Sequence, residues 1–169
     1  MAILPIRKNF DSILRQKSEG VVEVDTGVRA LVRDMVDTMV AAGGVGLAAP
    51  QVGIGRRILV ANDKGERGKE VVLINPMLVS RRGKVVGMEG CLSLPGLWAE
   101  VKRSRRVVVE AQTLEGKPIR LEADELLARI FQHEIDHLDG LLFIDRIGYF
   151  ERRRLLRTLR AQDREVSVL

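Results

Sequence analysis

Between residues 28 and 40 the apolar positions are Val28, Leu31, Val32, Met35, Val36, Met39 and Val40, the i, i+3, i+4, i+7 spacing of one helix face. The pattern predicts an amphipathic helix capped by Asp25 or Thr26. It should stop at Gly43-Gly44, where one glycine can turn left-handed. The period then changes. "RRILVA", "EVVLIN", "GKVVGM", "RRVVVEAQT" and "KPIRLEA" are short β-branched runs separated by Gly, Asn, Asp and Pro, and they read as strands. "TLEGKPIRL" predicts a hairpin turn at Glu115-Gly116. The helical period returns in "ADELLARIFQHEIDHLDG", beginning at Ala123 or Asp124. Leu126, Leu127, Ile130, Phe131, Ile135 and Leu138 are its apolar positions, and Gly140 its stop. A last, basic helix is expected from Phe150 to Arg160.

Strands gathered between helices, without regular β-α-β alternation, predict an α+β fold. Mainly antiparallel sheets would pack around a central helix carrying HEIDH, with one helix N-terminal and one C-terminal to them. A length of 169 residues is enough to bury a core. With no repeat, low-complexity tract or linker, residues 1–169 are expected to be one domain.

Composition narrows the class. Hydrophobic residues make up 46% and charges of both signs are interleaved, as in ordinary globular proteins. No apolar run approaches a membrane span, and the opening "MAILPIRKNF" is too short in its apolar part, and broken by Pro5, for a signal peptide. The single cysteine, Cys91, excludes an internal disulfide. These features together lead us to expect a cytoplasmic protein. The net charge of +5 is concentrated in "ERRRLLRTLR", either a solvated helix face or a contact for an anionic surface such as RNA.

Both histidines lie in "QHEIDHLDG", four residues apart, with Glu134 directly after the first. On a helix such a pair shares one face, so His133 and His137 can each give a ring nitrogen to one metal ion. Glu134 projects about 100° further round, placed to handle the protons of a bound water rather than to ligate. A third protein ligand is expected, with a fourth position left for water. The extended metallopeptidase pattern would put a histidine at 143, but Phe143 stands there, and Glu151 or Glu165 lies in the charged tail. Cys91 in "MEGCLSLPG" remains, between a glycine and a proline that mark a turn or bulge. The site becomes Cys91, His133, His137 and a water.

Three stretches now agree with one family. "GVGLAAPQ" (Gly44 to Gln51), "EGCLS" (Glu89 to Ser93) and "QHEIDHLDG" (Gln132 to Gly140) resemble, in order and spacing, the signature motifs of the peptide deformylases. The opening "ILPIRK" followed by a helix resembles their N-terminal segment, so the resemblance covers nearly the whole chain. It implies metal-dependent hydrolysis of the formyl group from the N-terminal formyl-methionine of new proteins, releasing formate. Metal-bound hydroxide would attack the formyl carbon. The family's ligands correspond to Cys91, His133 and His137, its general base and acid to Glu134, its side-chain amide donor to Gln51, and its backbone N–H donor to Leu92. Gly44, Val45 and Gly46 would meet the peptide: small residues allow close backbone approach, and Val45 can touch an apolar side chain. The resemblance implies one Fe2+ per chain, with Zn2+, Ni2+ or Co2+ as substitutes.

Two other readings compete. A small zinc metallopeptidase is weakened by Phe143 and by "EGCLS". A basic RNA- or ribosome-associated protein with a structural metal is weakened by the lack of a fourth ligand. The ribosome idea also combines with the enzyme reading: Arg152, Arg153, Arg154, Arg157 and Arg160 would dock the C-terminal helix near emerging chains. We further expect a monomer without membrane attachment, in a bacterial cytoplasm or as a processed organellar form.

Overall fold

The computed structural model describes residues 2–166. Its α1 is Thr26–Ala41. Asp25 caps it, accepting the Val28 N–H at 2.7 Å, and Gly43 beyond its end has φ 67°. Five strands form one antiparallel sheet: β1 (Gly46–Ala48), β2 (Ile58–Ala61), β3 (Val71–Arg82), β6 (Arg106–Gln112) and β7 (Pro118–Asp124), in the order β1-β2-β3-β6-β7. A separate antiparallel pair joins β4 (Val85–Cys91) to β5 (Leu94–Arg103). The other helices are α2 (Glu125–Leu138) and α3 (Tyr149–Val166).

Packing follows strand periodicity. In β2 all four residues are buried, which requires cover on both faces. Leu59 and Ala61 pack with α2 residues Phe131 and Ile135, whereas Ile58 and Val60 pack with α1 residues Val32, Met35 and Met39. The metal-helix candidate α2 is thus pressed onto one face of the larger sheet. A third apolar cluster joins Leu97, Ala99 and Val101 of β5 to Phe143, Ile144 and the α3 residues Leu155 and Leu159. Mixed helix and antiparallel sheet is therefore the architecture, as expected.

The details differ in four places. α2 begins at Glu125 rather than Ala123 or Asp124, because Ala123 and Asp124 still pair with β6. The chain turns from β7 straight into the helix, and Glu125 takes a φ of 48° to do so. Strands β1 and β5 form where the hydrophobic pattern predicts none. α3 begins one residue earlier and continues beyond Arg160. The hairpin turn is where expected: Gly116 has φ 75°, and Thr113 N–H donates to Lys117 O across it.

Candidate metal centre

Cys91 is the last residue of β4, where the ladder shifts register between Gly90 and Cys91. The two-residue turn Leu92-Ser93 then leads into β5. This irregularity turns Cys91 toward α2, whose His133 and His137 lie one helical turn apart with ring centroids at 5.0 Å. His137 Nε2 is 3.2 Å from Cys91 Sγ. One ligand atom from each of Cys91, His133 and His137 falls within 4.8 Å of the others. Such a set, one sulfur and two imidazoles, suits a divalent transition metal with a position left open.

The surroundings support that use. His133 Nδ1 donates to Glu89 Oε2 at 2.9 Å, which fixes the ring and leaves Nε2 as its free nitrogen. Burial works against a charge on His133. Contacts with Cys91 and Glu89 and the charge of Glu134 outweigh it and raise the pKa well above the usual 6.5. Anionic groups thus converge on this spot, and a cation fits among them. His137 is pushed the other way by burial and then by the positive charge of His133, and so stays a neutral donor.

Glu134 is 4% exposed and its Oε2 has no hydrogen-bond partner among the described residues. Burial raises its pKa from 4.5 to about 7. Gly46 is required beside it: a Cβ there would lie 2.5 Å from Glu134 Oε1. Gln51, in the short turn Ala49–Val52, accepts the Ala48 N–H through Oε1 at 2.8 Å, which sets the direction of its amide. Its Nε2 then points to Ser93 Oγ at 3.3 Å and lies 3.6 Å from Cys91 Sγ. The Leu92 N–H is engaged by no other described residue. A cavity of about 660 Å³ opens over these groups, and Gly44, Val45, Gly46, Leu126 and Ile130 are among the residues that line it. All nine residues singled out from the sequence therefore meet in one place.

Sequence reasoning missed the layer behind. Arg103 is buried and bridges Glu89 (Nε to Oε1, 2.9 Å) and Asp136 (2.5 Å); Arg129 reaches Glu89 at 2.7 Å, and Arg146 reaches Asp136 at 2.5 Å. Burial pushes the Glu89 carboxyl up, but the hydrogen bonds from Arg103 and His133 outweigh it and hold it well below the usual range. Glu89 offered a signal, two residues before Cys91; Arg103, inside a run of basic residues, offered none. Phe143, at the position of an absent third histidine, is buried and lies parallel to His133 with centroids 6.4 Å apart.

The family model for polypeptide deformylase matches residues 3–153. The chain belongs to that family. A peptide deformylase of Thermomicrobium roseum is 47% identical over 99% of this chain and 97% of its own. The crystal structure of a deformylase from Legionella pneumophila superposes with a TM-score of 0.92 at 39% identity, covering 98% of each chain. That from Thermus thermophilus gives 0.88 at 46% identity, covering 94% of each. Family membership makes the chain a hydrolase of protein biosynthesis that removes the N-formyl group from nascent peptides in a metal-dependent reaction. No helix among the described residues is long and apolar enough to cross a membrane.

Proposed function

We propose that residues 1–169 form one catalytic domain in which Cys91, His133 and His137 hold one Fe2+, with Zn2+, Ni2+ or Co2+ as substitutes, and that Glu134 carries the proton transfers of deformylation. When bound by these three residues, the cation would supply Lewis-acid activation of the attacking water and of the formyl group. Glu134 accepts a proton from the attacking water as the water oxygen adds to the formyl carbon. The Gln51 amide and the Leu92 N–H donate to the developing oxyanion, each worth roughly 10²–10³ in turnover by analogy with other such donors. Glu134 then returns its proton to the peptide nitrogen, the C–N bond breaks, and formate and a free amino terminus leave. The raised pKa of Glu134 suits both halves of this exchange. The peptide lies along Gly44–Gly46, and the methionine side chain enters the cavity beside Val45, Leu126 and Ile130.

The observation that carries this reading is the buried, unpartnered Glu134 carboxylate next to the Cys91–His133–His137 cluster. The test is substrate discrimination by Fe2+-loaded protein prepared without oxygen. Formate should appear from formyl-Met-Ala, while acetyl-Met-Ala and unformylated internal peptides stay intact. Cleavage of an internal peptide bond would favour the metallopeptidase reading instead.

We take the enzyme to be a cytoplasmic monomer of bacterial type, a processed organellar form being the other setting. α3 gives it a face for the ribosome. Arg153, Arg157 and Arg160 are exposed there, whereas Arg152 is held by Asp145 at 2.8 Å and Arg154 by Glu151 at 3.3 Å. Ribosome co-sedimentation at low salt should be lost when Arg153, Arg157 and Arg160 become glutamate. Survival of binding would remove α3 from that role.

A further inference from the structure

Resting on that reading of Gln51, we infer that Ser93 is a positioning residue for the reaction: its hydroxyl holds one N–H of the Gln51 amide so that the other faces the reacting oxygen. Ser93 is fully buried and Gln51 is 1% exposed, so neither group is in its place for contact with bulk water. A primary amide has two N–H donors and one oxygen. The oxygen of Gln51 is occupied by the Ala48 N–H, which excludes the flipped orientation. Nε2 sits 3.3 Å from Ser93 Oγ, an acceptor, and 3.6 Å from Cys91 Sγ. One N–H is therefore used on the Ser93 side, and the second is directed at the sulfur edge of the site. A formyl oxygen entering there takes the second N–H without moving the amide, because the first stays on Ser93. Without the hydroxyl, the Ala48 N–H on Oε1 is the remaining hold on the amide plane, and rocking about its last torsion is less restrained.

The backbone fastens the same two residues from outside. Arg7 N–H donates to Gln51 O at 2.7 Å and Asn9 N–H to Ser93 O at 2.8 Å, so one short N-terminal segment clips both carbonyls. Gln51 comes from the turn after β1, and Ser93 from the turn between β4 and β5. The distance between amide and hydroxyl is thus set by main chain rather than by a flexible contact.

The experiment is a double-mutant cycle on metal-loaded protein with formyl-Met-Ala. Gln51→Ala alone tests the underlying reading, and a wild-type rate there would sink that reading before Ser93 is considered. Given a defective Gln51→Ala, Ser93→Ala should lower kcat about tenfold with KM and metal content nearly unchanged, a fraction of the loss typical of deleting an oxyanion donor. In the Gln51→Ala background the same change should alter kcat less than twofold. An equal loss in both backgrounds, or none in either, overturns the inference. Ser93→Thr guards against a packing explanation. Per folded, metal-loaded molecule, Thr should retain more kcat than Ala if the hydroxyl matters, and less if filling the space is what counts. The Gln51 side-chain NH2 signals, assigned by their loss in Gln51→Ala, give a readout without turnover. They should be protected from solvent exchange in the wild type and exchange faster in Ser93→Ala; unchanged protection contradicts the assignment.

Discussion

Helices α2 and α3 are both amphipathic, yet they treat their polar residues in opposite ways. In α3, Arg153, Arg157 and Arg160 remain in water, and among its residues of described burial only the leucines at 155 and 159 are buried. In α2, Gln132, Glu134, Asp136 and His137 are all inside. A buried polar group costs free energy unless it is paired, so each of the four calls for a partner. Gln132 has one: it exchanges hydrogen bonds with the Ser104 backbone at 2.9 and 2.8 Å. Asp136 has two arginines. His137 meets Cys91 through Nε2, while its Nδ1, like Glu134 Oε2, has no partner among the described residues. Of these two, Glu134 is the one that lines the cavity, where the reactants can supply the missing partner.

The sharpest way to break this contrast is to neutralise Glu134. Glu134→Gln should lower kcat on formyl-Met-Ala by about 10³-fold, within the range for general acid–base catalysis, while metal content stays at the wild-type level. A loss below tenfold would leave Glu134 without its role.

The second intervention tests the pairing behind the site. Arg103→Ala leaves Glu89 and Asp136 short of a buried partner, and should destabilise the fold by about 3–5 kcal/mol in denaturant titration. If the loss is under about 1 kcal/mol, the buried network is not what holds α2 against the β4–β5 hairpin.

The third concerns stability and pH. The folded-state pKa of Glu134 is raised from 4.5 to about 7, so its favourable contribution is present below about 4.5 and is lost as pH rises through about 7. In metal-free protein at pH 8, Glu134→Gln should therefore stabilise the fold, by at most about 3 kcal/mol, and the gain should vanish near pH 4. Activity should move the opposite way and rise with pH as Glu134 ionises. A pH-independent stability difference would contradict the assignment.

The smallest effect belongs to α3. Replacing Arg153, Arg157 and Arg160 by glutamate should change stability by no more than about 0.5 kcal/mol per site and leave dipeptide turnover as it was, because these side chains lie in water. A large loss of turnover would mean that α3 is tied to the site more tightly than its exposure indicates.

The same contrast explains what was legible in the sequence. α1, α2 and five strands announce themselves because their apolar positions recur at helical spacing or in short β-branched runs, even where polar residues are buried among them. β5 does alternate, with Leu97, Ala99, Val101 and Arg103 inward, but an alanine and an arginine at inward positions hide the period, and Pro95-Gly96 reads as a turn. β1 has three residues, too few to show any period. Within the site, Cys91, His133 and His137 were legible because their chemistry is rare in this chain, and Glu134 because it directly follows His133. Arg103, Arg129 and Asp136 were not, since a charge reads as surface until the fold supplies its counter-charge. Leu126 erred the other way: its helical spacing suggested core, but it is 47% exposed at the rim of the cavity.

The central claim is that one cation held by Cys91, His133 and His137, working with Glu134, releases formate. The most direct test is to titrate metal-free protein with Fe2+ under anaerobic conditions and follow formate release from formyl-Met-Ala against bound metal, beside Glu134→Gln. The account predicts a rate that rises linearly to a plateau at one equivalent per chain, and a variant that binds the same equivalent but releases almost no formate. Turnover without bound metal, or full turnover by the variant, would contradict it.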